Sequence, residues 1–315
     1  MNARPHKLGW IGIGRMGYAM AERLAKSGAD LTVWNRTRAK AEPLALVGAK
    51  LALDLNELAA CDIVFVMVST WDDVREVIDG PRGLLSGSSA PKMVIECSSI
   101  SLEGSAELRA LLSRRGVQML AAPVSGNAKV IKAGRLSFVC SGPRAAFDAA
   151  LPALKMMAPA ASYVGDGELA RIVKICHNVF LGVVIQSLAE ITVLAQKAGV
   201  PRHAFLEFIN QSVMGSTFSR YKTPALVNLD FAVTFTPQLL RKDLDLGLDA
   251  ARTFEMPMPL ASITRDLVQS LIGNGLDDGD FAKLIVQQAR ASGLQLQSEN
   301  APVDDGLSAR GKDLT

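Results

Sequence analysis

The sequence is poor in the residues that staple small folds or hold metals. Four cysteines, Cys61, Cys97, Cys140 and Cys176, stand far apart among apolar or small neighbours with no CxxC between them. Neither a disulfide framework nor a thiolate centre is expected, and all four are read as reduced, buried thiols. Only three histidines occur, His6, His177 and His203, with no HxH or HExxH spacing, so no metal is expected. There is no block of like charge: 34 basic and 31 acidic residues are scattered along the chain for a net charge of +3. Nucleic acid is therefore not an expected partner. An uninterrupted run of about 18 apolar residues is also absent, as is an apolar leader core in the opening MNARPHKLGWIGIG. No membrane partner is expected, and the expected location is cytoplasmic.

What is present is apolar content: 315 residues, 49% hydrophobic, enough to bury two cores without staples. From Lys7 to about Val164, short runs rich in branched apolar residues (LGWIGI, LTVWN, DIVFVMV, KMVIECS, VQMLAA, LSFVCSG, SYVG) alternate with helical patterns. That alternation predicts a parallel sheet with helical crossovers. After Gly165 the pattern changes. Some thirty residues run from Asp166 to Gly199 without proline or strand-like alternation, which predicts one long helix, apolar almost all round and so buried in a domain or a dimer. Further helices are predicted at about 201–212, 237–253, 257–273 and 279–292, and residues 296–315 are expected to form a disordered tail. The expected organisation is thus 1–164, 165–295 and the tail.

The first strand pattern runs directly into Gly12-Ile13-Gly14-Arg15-Met16-Gly17, a G-x-G-x-x-G that opens a helix. In that context Gly12 permits the tight turn, Gly14 lets the backbone approach a pyrophosphate, and Gly17 lets helix pack on strand, with the helix N-terminus facing the anion. This is the dinucleotide-binding fingerprint, and it makes the first half a Rossmann domain followed by an all-α C-terminal domain. A glycine-rich turn without a ligand is the bland alternative. After the second strand, where an NAD enzyme typically carries an acid for the ribose, stand Asn35, Arg36 and Thr37. Arg36 suits a 2′-phosphate through a bidentate fork, with Thr37 and Lys40 as further donors, so NADP is favoured and NAD remains open. The alternative is a solvated Arg36, with Asn35 serving either cofactor.

Two segments carry candidate chemistry. Pro123-Val124-Ser125-Gly126-Asn127 follows the strand pattern VQMLA and is either an anion cradle of backbone N–H groups and a hydroxyl or an ordinary turn. On the long predicted helix, Lys174 and Asn178 are four residues apart and share a face amid Ile172, Val173, Ile175, Val179 and Phe180. Either the lysine stem snorkels to the surface, or its amine sits in a cleft where desolvation brings it to a proton-transferring state.

Together these segments resemble the β-hydroxyacid dehydrogenase family, which includes 3-hydroxyisobutyrate dehydrogenase, tartronate semialdehyde reductase and glyoxylate/succinic semialdehyde reductase, with 6-phosphogluconate dehydrogenase more distant. The resemblance spans about 7–293. Gly12 to Gly17 with Met20, Ala21 and Leu24 matches the family's G-x-G-x-M-G-x-x-M-A-x-x-L. Glu96 to Ser101 resembles its D-x-S-T-I-S, Ala121 to Asn127 its D-A-P-V-S-G-G, Lys174 to Asn178 its K-x-x-x-N, and Lys242-Asp243 its C-terminal K-D. The resemblance implies an NADP-preferring oxidoreductase that interconverts a small anionic β-hydroxy acid and its semialdehyde or keto form. It further implies Lys174 as general acid/base, Ser125, Gly126 and Asn178 holding the substrate, and Phe235 and Asp243 bordering its pocket. Lys242 would reach the cofactor, Ser99 would lie toward the nicotinamide, and Met67, Val68, Ser69 and Val74 would line the adenosine and ribose side.

The chain departs from the pattern at Ala121 for Asp, at Asn127 for the second Gly and at Ser99 for Thr. Ser99 retains a hydroxyl. Asn127 either adds a substrate donor or reshapes the pocket. Arg220 and Lys222 stand where a larger anion would be met, or are solvated charges. An imine reductase-like enzyme and a non-catalytic dinucleotide-binding sensor are the competing readings. The long apolar helix leads to the expectation of a homodimer or higher homo-oligomer.

Overall fold

The central strands of the N-terminal half, Leu8–Ile11, Ile63–Val66 and Met93–Glu96, are buried on every residue because both faces of their sheet are covered. The computed structural model describes residues 6–307. In order come β1 (Leu8–Ile11), α1 (Arg15–Lys26), β2 (Leu31–Trp34), α2 (Glu42–Ala45), β3 (Lys50–Leu51), β4 (Ile63–Val66), α3 (Trp71–Asp79), β5 (Met93–Glu96), α4 (Leu102–Arg114) and β6 (Gln118–Ala121). The six strands are all parallel in the order β3-β2-β1-β4-β5-β6. Alternate residues serve opposite cores: Trp10, Phe65 and Ile95 enter one with α1, while Ile11, Val64, Val66 and Val94 enter the other with α3 and α4. This is why the strands read as continuous apolar runs rather than alternating ones. The connection reverses direction between β1 and β4, which places the carboxyl ends of those strands at the topological switch point.

The chain continues through β7 (Val124–Ser125), α5 (Ala128–Lys132), β8 (Ser137–Cys140), α6 (Arg144–Met157) and β9 (Ala160–Tyr163). Here the purely parallel expectation needs correction: β7, β8 and β9 form a separate three-stranded sheet in which β7 runs antiparallel to β8. Two-residue strands such as β3 and β7 carry too little pattern to be read from sequence.

The second half is helical: α7 (Leu169–Lys197), α8 (Arg202–Gln211), α9 (Thr217–Asn228), α10 (Pro237–Thr253), α11 (Pro259–Gly273) and α12 (Leu284–Ala291). The chain divides into two units, Met1–Lys174 and Ile175–Thr315, so the division falls inside α7 rather than at Gly165. The first turn of α7 belongs with the sheet because Ala170 packs into one of its cores and Arg171 pairs with buried Glu96. In the second unit, α7, α8, α9, α10, α11 and α12 share one core. Helix α9 was not expected from the sequence: Pro224 lies inside it, and its start is specified by a Ser216/Ser219 capping box rather than by amphipathic periodicity.

Two further expectations are corrected. Residues 296–307 are not a loose tail but a strap on the second unit. Leu296, Ala301 and Val303 pack on its core, Asn228 and Ala301 exchange two hydrogen bonds, and Glu299 accepts from Arg202 N at 2.7 Å and His203 N at 2.9 Å. Residues 308–315 lie outside the described residues. Cys176, read as buried, is exposed on α7, whereas Cys61, Cys97 and Cys140 are buried. Burial pushes the Cys140 thiol up to about 12, leaving it unreactive. Helix α7 is long and apolar enough by composition to cross a membrane, but half of its most apolar window is buried within the protein.

Candidate functional site

The carboxyl ends of β1, β2, β4, β5 and β6 carry the expected first-unit residues. Gly12 has φ +97°, and a Cβ there would meet Met67 O at 2.2 Å, so the turn after β1 closes only on glycine. A Cβ on Gly17 would lie 2.0 Å from Gly12 O, and Trp10 Nε1 donates to the same carbonyl at 3.0 Å. Gly14 is the N-cap of α1 with no side-chain cap bond, is exposed, and a Cβ on it would meet nothing within 4 Å. Arg15 is exposed at the helix start and Met16 half-buried. The N–H groups of this first turn thus converge beneath an open surface that suits an anion. The Ile13 N–H is not among them, because it donates to Asn35 Oδ1 at 2.8 Å. Asn35 therefore latches the end of β2 to the glycine turn, its Nδ2 donating to Thr37 O at 2.8 Å.

Arg36 and Thr37 are exposed beyond β2. The Arg36 side chain is 80% exposed, with Nη1 3.5 Å from Asp73 Oδ1, and Asp73 is held in the first turn of α3 by Thr70. Met67 and Val68 are half-buried after β4 and Ser69 is exposed. Val74 is fully buried in the core under α3, so its side chain supports this edge from within and presents no surface.

After β5, the buried Ser98 organises the turn that precedes the half-buried Ser99. Ser98 Oγ accepts from Val68 N at 3.0 Å, and its own N–H donates to Glu96 Oε1 at 2.7 Å. Glu96, fully buried, also pairs with Arg171 of α7. After β6, Ser125 lies in β7 and Gly126 has φ +140°. Asn127 caps α5 through Oδ1, which accepts from Val130 N at 3.0 Å, while its buried Nδ2 makes no hydrogen bond. A buried amide donor left unmatched is costly, so it stands ready for an acceptor beside the Ser125-Gly126 backbone.

Lys174 is half-buried on α7, one helical turn before Asn178. In the second unit, the buried Asn178 is oriented from both ends: Nδ2 donates to Asp243 Oδ2 at 2.5 Å, and Oδ1 lies 2.9 Å from His177 Nδ1. Asp243 is buried at 3% exposure with Oδ1 making no hydrogen bond, and Lys242 Nζ stands 3.5 Å from it. Close packing permits this: a Cβ on Gly247 of α10 would meet Val179 Cγ2 of α7 at 2.2 Å. The structure thus brings Asn178, Lys242 and Asp243 together. The Phe235 N–H donates to Asp280 Oδ2 at 3.2 Å and its ring stands edge-on to Phe281.

Several organising residues escaped the sequence reading. Lys222 does not face an anion from outside; it is buried, bonded to Asp280 Oδ1 at 2.5 Å and lying 3.9 Å over the Phe281 ring. Arg220 donates to Asn210 O. Arg171, like Lys174, is a charge in an apolar stretch, the one signal that pointed to it. Among the described residues no group of three or more His, Cys, Asp or Glu side chains is placed to hold a metal.

Comparison with known proteins gives consistent matches. The model of the NAD binding domain of 6-phosphogluconate dehydrogenase matches residues 7–165, and that of the NAD-binding domain of NADP-dependent 3-hydroxyisobutyrate dehydrogenase matches 168–287. Glyoxylate/succinic semialdehyde reductase 2 of Arabidopsis thaliana is 30% identical over 279 residues, covering 88% of this chain and 78% of that protein. The 3-hydroxyisobutyrate dehydrogenase structure from Salmonella typhimurium superposes with a TM-score of 0.79 at 27% identity, covering 89% of this chain and 99% of that one. The cytokine-like nuclear factor N-PAC of Homo sapiens is 29% identical over 277 residues, covering 88% of this chain and 50% of that protein.

Proposed function

Because the chain belongs to the β-hydroxyacid dehydrogenase family, we propose that it is an NADP-preferring oxidoreductase interconverting a small anionic β-hydroxy acid and its semialdehyde or keto form. The observation that carries this reading is Asn178, one helical turn from Lys174, with its amide fixed by Asp243 and His177. A side chain locked at both ends can orient a reacting oxygen, and the lysine beside it can exchange that oxygen's proton.

The residues present fit a phosphorylated dinucleotide. Gly12 and Gly17 have no room for a side chain, Gly14 leaves the start of α1 open to a pyrophosphate, and Arg36 supplies the charge a 2′-phosphate calls for. Arg15, Met16, Thr37, Met67, Val68 and Ser69 border that edge. Lys242 is assigned to the cofactor and Ser99 to its nicotinamide end. When bound, the nicotinamide supplies or accepts the hydride. The chain does the rest. Ser125 Oγ, the Gly126 N–H and the unmatched Asn127 Nδ2 take the substrate carboxylate, and Asn178 takes its oxygen. In reduction the Lys174 ammonium protonates the carbonyl oxygen; in oxidation the amine removes the hydroxyl proton. Phe235 and Asp243 shape the pocket.

We also assign a homodimer or larger homo-oligomer, because Phe180, Ile191 and Leu194 leave an apolar row exposed along α7 at 69%, 37% and 69%.

The test is oxidation of NADPH and NADH, in parallel, with glyoxylate, succinic semialdehyde, tartronate semialdehyde and methylmalonate semialdehyde, on wild type and Lys174→Ala. The expected result is substrate-dependent NADPH turnover that falls at least about 10²-fold in the variant. Tight NADPH binding without turnover on this panel or on cyclic imines favours the sensor reading.

A further inference from the structure

The first turn of α7 is bound to its surroundings by charged groups, where apolar packing would serve stability equally well. Arg171 is 1% exposed and Glu96 fully buried. The Arg171 fork donates to Glu96 Oε2, to Ser98 O at 2.6 Å and to Ser105 Oγ at 3.1 Å. The other Glu96 oxygen takes the Ser98 N–H. A second pair continues the network: Glu168 accepts from Ser105 and from Arg109 Nε at 2.6 Å, and Arg109 donates to Gly167 O at 2.8 Å and Met119 O at 3.0 Å. From the remaining side, Ser141 Oγ accepts the Ala170 N–H at 3.0 Å. Buried ion pairs contribute little net stability compared with apolar residues of the same volume. What this pair does provide is direction, since a planar guanidinium satisfied on three partners leaves the helix turn no freedom to rotate or slide.

Lys174 is three residues beyond Arg171, and residues so spaced are neighbours on a helix surface. The partner of the fork, Ser98, is adjacent in sequence to Ser99. We infer that the Glu96–Arg171 pair is the positioning device for Lys174: it sets the depth and rotation of the lysine relative to the Ser98-Ser99 turn and, being neutral as a pair, leaves the ammonium without a net charge one turn away. The inference rests on the assignment of Lys174 as general acid/base. Two guanidiniums, Arg109 and Arg171, and two carboxylates, Glu96 and Glu168, face this turn, so its charges balance.

Two measurements on the full chain test it. In the first, trace acetylation of Lys174 by acetic anhydride is followed against pH by peptide mass spectrometry, with no cofactor or substrate present. Glu96→Gln leaves Arg171 uncompensated and should move the Lys174 labelling midpoint down by on the order of one pH unit; Arg171→Gln should move it up by a similar amount. The double variant Glu96→Gln/Arg171→Gln, whose two amides retain a neutral hydrogen-bonded pair, should return it to the wild-type value. In the second, the double variant should bind NADPH within about threefold of wild type but lose at least about tenfold in kcat with little change in KM, because the fork geometry is gone. If the single variants fail to fold by circular dichroism, the double variant decides. A folded double variant with wild-type kcat overturns the inference, as do single-variant midpoints that coincide with wild type. The labelling arm stands even if no aldehyde on the panel is turned over. Retained turnover in Lys174→Ala, with the midpoint shifts intact, would instead remove the acid/base assignment and leave the coupling in place.

Discussion

Gly14 and Gly17 stand in one turn but lack a side chain for opposite reasons, so alanine at each separates a folding requirement from a binding one. At Gly17 the obstacle is backbone: an added Cβ would lie 2.0 Å from Gly12 O and 3.2 Å from Trp10 Nε1. Restoring ordinary contact distance requires α1 to move by about 1.5 Å against β1, since non-bonded heavy atoms prefer about 3.5 Å or more. Overpacking of this kind costs about 1–3 kcal/mol, and with a carbonyl as the obstacle the upper end is expected. At Gly14 nothing lies within 4 Å, and its φ of −77° is open to alanine. Alanine is the poorer N-cap by up to about 1 kcal/mol, while the stiffer unfolded chain returns about 0.4–1 kcal/mol. The unliganded stability of Gly14→Ala should therefore stay within about 0.5 kcal/mol of wild type. Its methyl group would stand where the backbone must approach a pyrophosphate, and NADPH binding should weaken at least about tenfold, or about 1.4 kcal/mol. Urea unfolding without ligand and calorimetric titration with NADPH read the two effects separately. A Gly14→Ala protein that binds NADPH as tightly as wild type would refute the pyrophosphate assignment. An unchanged unfolding midpoint in Gly17→Ala would refute the packing argument.

Asp280 offers a pH test. Burial pushes its carboxyl up, but Lys222 and the donors from Thr234 and Ala282 outweigh that and hold it below the usual carboxylate range. A depressed folded pKa means that its contribution is complete above the unfolded value of about 3.9 and is lost as pH falls through the folded one. Asp280→Asn should accordingly cost about 3–5 kcal/mol near neutrality by taking the counter-charge from the buried Lys222, and the gap from wild type should narrow below about pH 4 in urea unfolding; a gap independent of pH would contradict the assignment. For the oligomer, Phe180→Asp places a charge in the exposed apolar row of α7 and should halve or further reduce the mass seen by light scattering. A wild-type protein that is already monomeric at assay concentrations would remove that proposal.

The legible parts of this protein were those whose cause is local. Gly12 and Gly17 could be read because the turn into α1 has no room for a side chain at either, and Gly14 because a backbone that approaches a pyrophosphate must be bare there. The sheet could be read because strands covered on both faces must be continuously apolar, and α7 because it lacks any local signal that would end it. Lys174 and Asn178 were visible as polar residues on one face of an apolar helix. Arg171 was equally visible, but its partner Glu96 is 75 residues away, and nothing in either neighbourhood names the other. The same holds for Lys222, read as meeting a larger anion or as a solvated charge, whose buried partner Asp280 is 58 residues away.

Other features depended on choices between alternatives that the sequence leaves equal. Asn127 either added a donor or reshaped the pocket; the fold commits its oxygen to capping α5 and leaves its buried amide nitrogen unmatched. Residues 296–307 have the composition of a loose tail, yet Glu299 finds the two amides at the start of α8 and Asn228 pairs with Ala301. The sequence by itself determined the class of fold, the glycine turn and the polar residues available for chemistry, because those follow from backbone sterics and from periodicity within a few residues. Only the tertiary structure decided which charges are paired, which amides are left open and where α7 is anchored, because those depend on groups that meet across long stretches of chain, where burial makes each unmatched polar atom costly enough to fix its partner.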